Sequence, residues 1–190
     1  TTPFLSKLTK SQSALKINNT FSLSSHSILG LSNILSSRYK LYFDNFFIFD
    51  ILKKYGYTIN FILSGDHTNF YGLHNYYGEN IDRFIDGYIT NKTIPEKNIS
   101  VNDDRENIIS NMQSINADDN PAFFYFHFMS THYLGKMYPK YFMKENNDSI
   151  IEQRPANNIG NKKNNIINNY DIRIKQFDSL VKELFGILTE

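Results

Sequence analysis

The chain has 190 residues, 20 Lys and Arg against 19 Asp and Glu, a formal charge of +1 and 41% hydrophobic residues, which is the composition of one globular domain. Near-neutral charge with no basic half excludes a protein that grips a nucleic-acid backbone by charge, so no nucleic-acid partner is expected. The absence of cysteine excludes disulfides and thiolate metal sites, leaving oxygen and imidazole as metal donors, and the longest apolar run, Phe46 to Leu52, falls far short of the ~20 residues that span a bilayer.

The chain opens on Thr1-Thr2-Pro3 without an initiator Met or a signal segment and stops directly after a helical pattern, so residues 1–190 read as a single domain cut from something longer. Thr2 as N-cap, Pro3 at the first helical position and apolar Phe4, Leu5 and Leu8 predict a short first helix. Ile17 to Leu23 reads as a strand. Helical spacing of Ile28, Leu31, Ile34 and Leu35 predicts a helix from about Ser27 to Ser36. A further helix carries Phe46 to Leu52 and stops at Lys53-Lys54-Tyr55-Gly56, and Tyr57 to Leu63 then reads as a buried strand.

Asp104 to Ile115 follows as a helix with Ile108, Ile109, Met112 and Ile115 on one face. Phe123 to Phe128 is apolar on both faces, as central parallel strands are. Asn146 to Asn165 is polar and reads as a surface excursion, after which Ile167, Tyr170, Ile174, Phe177, Val181, Leu184 and Leu188 mark a long amphipathic helix. Strands alternating with helices predict an α/β fold. The 24 Asn residues against 4 Ala look like nucleotide composition and carry no mechanism.

Several residues could carry chemistry. Ser27 at a helix start after a strand is either a plain N-cap, as Ser25 could also be, or a nucleophile whose attack on a phosphate or sulfate ester is helped by free N–H groups. His132 should sit at the carboxyl end of the Phe123 to Phe128 strand, where open α/β sheets bind ligands, and Lys136 follows it on the same loop. His127, inside the strand, reads as a packed core residue. Asp66-His67 reads either as a metal-binding pair or as a turn. The acidic run at Asp103-Asp104 reads as a helix start.

Four stretches in order resemble the alkaline phosphatase and sulfatase superfamily, and within it the membrane-anchored phosphoethanolamine and phosphoglycerol transferases of bacterial envelopes. Thr2-Pro3-Phe4-Leu5 resembles the opening helix of such domains, and Leu52-Lys53-Lys54-Tyr55-Gly56-Tyr57-Thr58 the family's helix-to-strand turn. Phe128-Met129-Ser130-Thr131-His132 with Tyr138-Pro139 is similar to the transferases' Met-Gly-Ser/Thr-His and Arg-Tyr-Pro stretch. Asn169-Tyr170-Asp171 with Phe177-Asp178 resembles their last helix.

The resemblance implies a three-layer α/β/α sandwich with a mostly parallel sheet, incomplete in this chain. It puts Ser27 where the transferases carry their nucleophilic Thr, and Ser27-Ile28-Leu29-Gly30-Leu31 lacks the Pro or Ala and the Arg of the sulfatase modification motif. It further implies a divalent metal, zinc, with Ser27 as a ligand and the acidic and Asp-His-Gly ligands outside this chain, so that the isolated chain has little activity. The implied reaction moves phosphoethanolamine or phosphoglycerol from a phospholipid donor through a phospho-serine to an envelope glycan or lipid A, with His132 and Lys136 binding substrate. The implied setting is the cell envelope, on the periplasmic or extracellular face of the inner membrane, with membrane attachment through segments absent from this chain. Two alternatives stand beside it: a sulfatase or phosphodiesterase of the same fold that passes the group to water, and a non-catalytic fragment binding an anionic glycan.

Overall fold

The computed structural model describes residues 2–11, 14–22, 27–36, 48–69, 73–90, 93–96, 99–115, 120–132, 135 and 159–189. Helix α1, Pro3–Lys10, has the expected proline start but not the expected cap. Thr2 makes no capping bond; the Asp178 carboxylate accepts from the Phe4 and Leu5 N–H groups at 2.8 and 2.9 Å. A carboxylate from the far end of the chain outcompetes the neighbouring hydroxyl because it satisfies two orphan donors at the positive helix end.

The strand expected over Ile17 to Leu23 is not formed. Residues 15–22 are irregular, with Leu15, Ile17 and Phe21 exposed, and Asn19 takes φ 57°, which breaks an extended run; Leu23 lies outside the described residues. Helix α2, Ser27–Ser36, begins at the expected serine. Helix α3, Ile48–Lys54, lies within the expected apolar helix, whose Phe46 and Phe47 lie outside the described residues. It ends in a Schellman cap: Gly56 has φ 82°, its N–H donates to the Lys53 carbonyl at 3.1 Å, and the Tyr57 N–H donates to the Leu52 carbonyl at 3.1 Å.

Strand β1, Thr58–Leu63, then enters the core. It pairs in parallel with β2, Arg83–Ile85, on one side and with β5, Ala122–His127, on the other, in register from Thr58 opposite Ala122 to Leu63 opposite His127. The two aromatic-rich runs are thus neighbours in one sheet, of order β2-β1-β5. Short β2 escapes notice in the sequence because three residues carry too little pattern, and the antiparallel pair β3, Thr93–Glu96, and β4, Ile99–Asn102, is likewise unannounced.

Period-two alternation divides the sheet's faces. Ile59, Phe61 and Leu63 pack with Leu35 of α2, Phe49 of α3, Leu73 and Tyr77, while Ile62 packs with Ile108, Ile109, Met112, Leu180 and Leu184. Those last residues belong to a π-helical turn, Arg105–Ile109, to α4, Ser110–Gln113, and to α5, Ile159–Thr189. The result is helices on both faces of a parallel sheet, the expected α/β/α layering. Asp103 caps the π turn as the acidic run suggested, its Oδ1 accepting from the Arg105 and Glu106 N–H groups.

Helix α5 starts earlier than the polar pattern suggests. Its first turns, from Ile159, fall inside the stretch read as a surface excursion, because a helix anchored by its apolar C-terminal half adds polar turns at little cost; residues 146–158 lie outside the described ones. Arg105 and Glu183 tie the π turn to α5 through a two-pronged ion pair at 2.5 and 2.6 Å. Among the described residues no helix is long and apolar enough to cross a membrane.

Candidate functional site

Because β1, β2 and β5 are parallel, their carboxyl ends share one edge of the sheet, the place where α/β folds gather their chemistry. Three buried polar groups organise that edge. Asp86, directly after β2, is fully buried and accepts five hydrogen bonds: from the His67 and Thr68 N–H groups and the Thr68 hydroxyl on Oδ2, and from the Tyr88 and Ile89 N–H groups on Oδ1. It thereby fixes the turns that leave both β1 and β2. Gly65, at φ 94°, lets the chain turn sharply there and offers its carbonyl to the Gly87 N–H at 2.8 Å.

Asp104 organises the β5 end. Buried at 1% exposure, its carboxylate accepts from the Met129 and Ser130 N–H groups at 2.8 and 2.7 Å and, by a short bond, from the Ser130 hydroxyl. Burial pushes its carboxyl above the usual range, and the Ser130 hydroxyl bond pulls the other way. Arg173 of α5 donates to the carbonyls of Ser130, His132 and Gly135, and the Gln176 amide donates to the Ser130 hydroxyl oxygen.

The third group is a pair of imidazoles. His67 accepts from the Tyr77 hydroxyl at Nδ1 (2.7 Å) and donates from Nε2 to the Ser64 carbonyl (3.3 Å), a tautomer assigned from its partners. The His127 ring meets it edge-on, with centroids 4.6 Å apart. Burial pulls His67 down to about 4 and His127 to about 3, the latter helped by the neighbouring His67 and His132. Tyr77 is raised well above its usual range, also by burial, and Tyr125 to about 12.

These neutral imidazoles make stability pH-dependent. Each binds its proton more weakly folded than unfolded, so the stabilisation is complete above the unfolded value near 6.5 and is lost as pH falls toward the folded values. For His67 the loss between pH 6.5 and 4 amounts to about 3 kcal/mol. Urea unfolding at pH 7.5 and 5 should show it, and His67→Gln should flatten the slope; a His67→Gln chain with the wild-type slope would show that this imidazole is not the source.

The expected site residues fare unequally. Ser27 is the first residue of α2, but its side chain lies outside the described part, and Lys136 lies outside altogether. His132 stands where expected, on the loop beyond β5; partial burial, and then the Arg173 charge, lower its proton affinity. His127 is packed as expected, as the last residue of β5 with its ring against His67. Asp66-His67 forms a turn: Asp66 accepts from the Asn69 N–H and side-chain amide, while His67 turns inward. Among the described residues no three His, Asp or Glu side chains are placed to hold a metal ion.

Sequence reasoning missed Asp86, Arg173 and Gln176 and read Asp104 only as part of a helix start, which it is. The signal was present for two of them, since Arg173 and Gln176 occupy the stripe of α5 that Ile172, Leu180 and Leu184 bury, where a polar side chain must have a polar partner.

Comparison with known proteins bears on the fold as a whole. The family profile described as Sulfatase matches residues 1–190. The C-terminal periplasmic domain of EptC from Escherichia coli, solved as a zinc complex, superposes with TM-score 0.71 at 17% identity, covering 98% of this chain and 52% of that one. A protein of the alkaline phosphatase superfamily from Vibrio parahaemolyticus superposes with TM-score 0.54 at 16% identity, covering 96% of this chain and 44% of that one. The chain therefore spans about half the length of these solved structures and shares their fold. No curated protein sequence matches it.

Proposed function

This chain belongs to the sulfatase family, and from that membership and the polar strand edge we propose that it is part of a phosphotransferase acting through a phospho-serine on Ser27. The observation that carries the reading is a serine opening α2, in a fold whose solved neighbour is an EptC periplasmic domain. In the first step Ser27 Oγ attacks the phosphorus of a phospholipid; the bond from phosphorus to the diacylglycerol oxygen breaks, and diacylglycerol leaves with a proton. In the second, a glycan or lipid A hydroxyl displaces Ser27 and carries the phosphoethanolamine or phosphoglycerol away.

The N–H groups at the start of α2 stabilise the developing oxyanion, and His132 and Lys136 hold phosphoryl oxygens. His132, held largely neutral by burial and by Arg173, donates one ring N–H. We assign Ser27 Oγ as a donor to the metal of the complete protein, zinc by analogy with the EptC neighbour, with the remaining ligands outside this chain. The setting is the periplasmic or extracellular face of the inner membrane.

The test is to supply the complete protein with vesicles of phosphatidylethanolamine or phosphatidylglycerol and a lipid A or glycan acceptor. Diacylglycerol should appear in step with modified acceptor. Free phosphoethanolamine or phosphoglycerol with unmodified acceptor would mark a hydrolase, and turnover of p-nitrophenyl sulfate with neither lipid attacked would contradict the phosphotransferase.

A further inference from the structure

Arg173 is 8% exposed, on the face of α5 that packs beneath the loop carrying His132. A buried guanidinium is costly unless held, and here the holding is unusual. A single nitrogen, Nη1, reaches the carbonyls of Ser130 (3.2 Å), His132 (2.7 Å) and Gly135 (2.8 Å). Nη1 carries two hydrogens for three acceptors, so at least one hydrogen is shared and the three carbonyls converge on one point. Asp104 in turn takes the Met129 and Ser130 N–H groups. The backbone that presents His132 is thus gripped by a cation through its carbonyls and by an anion through its N–H groups.

The grip is tight in space as well. A methyl carbon on Gly135 would lie 2.0 Å from the Met129 carbonyl oxygen and 2.9 Å from the Ser130 Cα, so only glycine lets the chain fold back far enough to bring the third carbonyl to Arg173. Burial disfavours the guanidinium's charged form, and Asp104 nearby favours it.

We infer that Arg173 is a positioning residue for His132, gathering three loop carbonyls on one nitrogen so that this imidazole is presented to a phosphoryl oxygen in a single orientation. The inference rests on the reading of His132 as a phosphoryl-binding group. Among the described residues, the Arg173 charge from α5 disfavours the protonated form of His132, and His132 in turn disfavours that of His127 at the end of β5.

The test uses this chain labelled with carbon-13 at histidine, with inorganic phosphate as the probe. In the wild type the His132 ring signal should shift saturably with phosphate and titrate below the ordinary histidine value. Arg173→Met should weaken the phosphate response about tenfold or more and raise the His132 midpoint; Arg173→Lys, which keeps three donors and the charge at one point, should restore both within about threefold. Gly135→Ala displaces the loop with the charge intact and should also weaken the response, and it decides the matter should Arg173→Met not fold.

An undiminished phosphate response in Gly135→Ala would overturn positioning and leave only a charge effect. An unchanged response and midpoint in a folded Arg173→Met chain would overturn the inference altogether. If the wild-type signal ignores phosphate, the phosphoryl role of His132 fails by itself, and the midpoints of the Arg173 variants still decide whether Arg173 governs this ring.

Discussion

In the complete protein, Ser27→Ala should reduce diacylglycerol release by at least roughly a thousandfold while the thermal unfolding curve barely moves. The asymmetry follows from where Ser27 stands. Ser27 is the first residue of α2, and losing a hydroxyl at a helix start costs typically about 1 kcal/mol. As the proposed nucleophile it supplies the only atom that forms the covalent intermediate, for which alanine has no substitute. His132→Ala separates two roles for the imidazole: slow turnover with a phospho-enzyme still formed assigns it to the acceptor, and absence of the phospho-enzyme assigns it to the donor phosphate. Retained transfer by Ser27→Ala would show that the nucleophile lies elsewhere.

Asp86→Ala should do the reverse and cost the fold roughly 3–5 kcal/mol, a large share of the stability of a domain this size. Removing this fully buried carboxylate strands four backbone N–H groups, of His67, Thr68, Tyr88 and Ile89, together with the Thr68 hydroxyl. No other acceptor is bonded to these donors among the described residues, and a methyl group leaves a gap where the carboxylate stood. Asp66→Ala is the matched control: it loses bonds to Asn69 alone, in an exposed turn, and should cost under about 1 kcal/mol. Urea unfolding of both variants tests the contrast, and an Asp86→Ala chain as stable as Asp66→Ala would show that water replaces the carboxylate.

The parts legible in the sequence were those that repeat. The apolar stripe of α5, the Lys-Lys-Tyr-Gly stop of α3 and the two apolar strands gave their elements, because burial demands a periodic pattern, while the parallel sheet and its layering came from the resemblance. What the sequence hid was made of single residues with distant partners. Asp178 caps α1 from the other end of the chain, and no local rule could prefer it over Thr2. Ile17 and Phe21 alternate as a strand does, yet extended backbone needs a neighbour, and none stands beside them among the described residues. At the candidate site, the strand-end rule anticipated the place of His132 on the loop beyond β5, whereas Asp104, which opens the helix as read, also grips the Met129-Ser130 turn, a role its local sequence does not announce.

The most direct measurement is a peptide mass after brief incubation of the complete protein with phosphatidylethanolamine and no acceptor. A phosphoethanolamine adduct on Ser27 is the expected result, abolished in Ser27→Ala and discharged when acceptor is added. The same adduct on Thr20 or Ser25, or diacylglycerol release with no residue modified, would contradict the account.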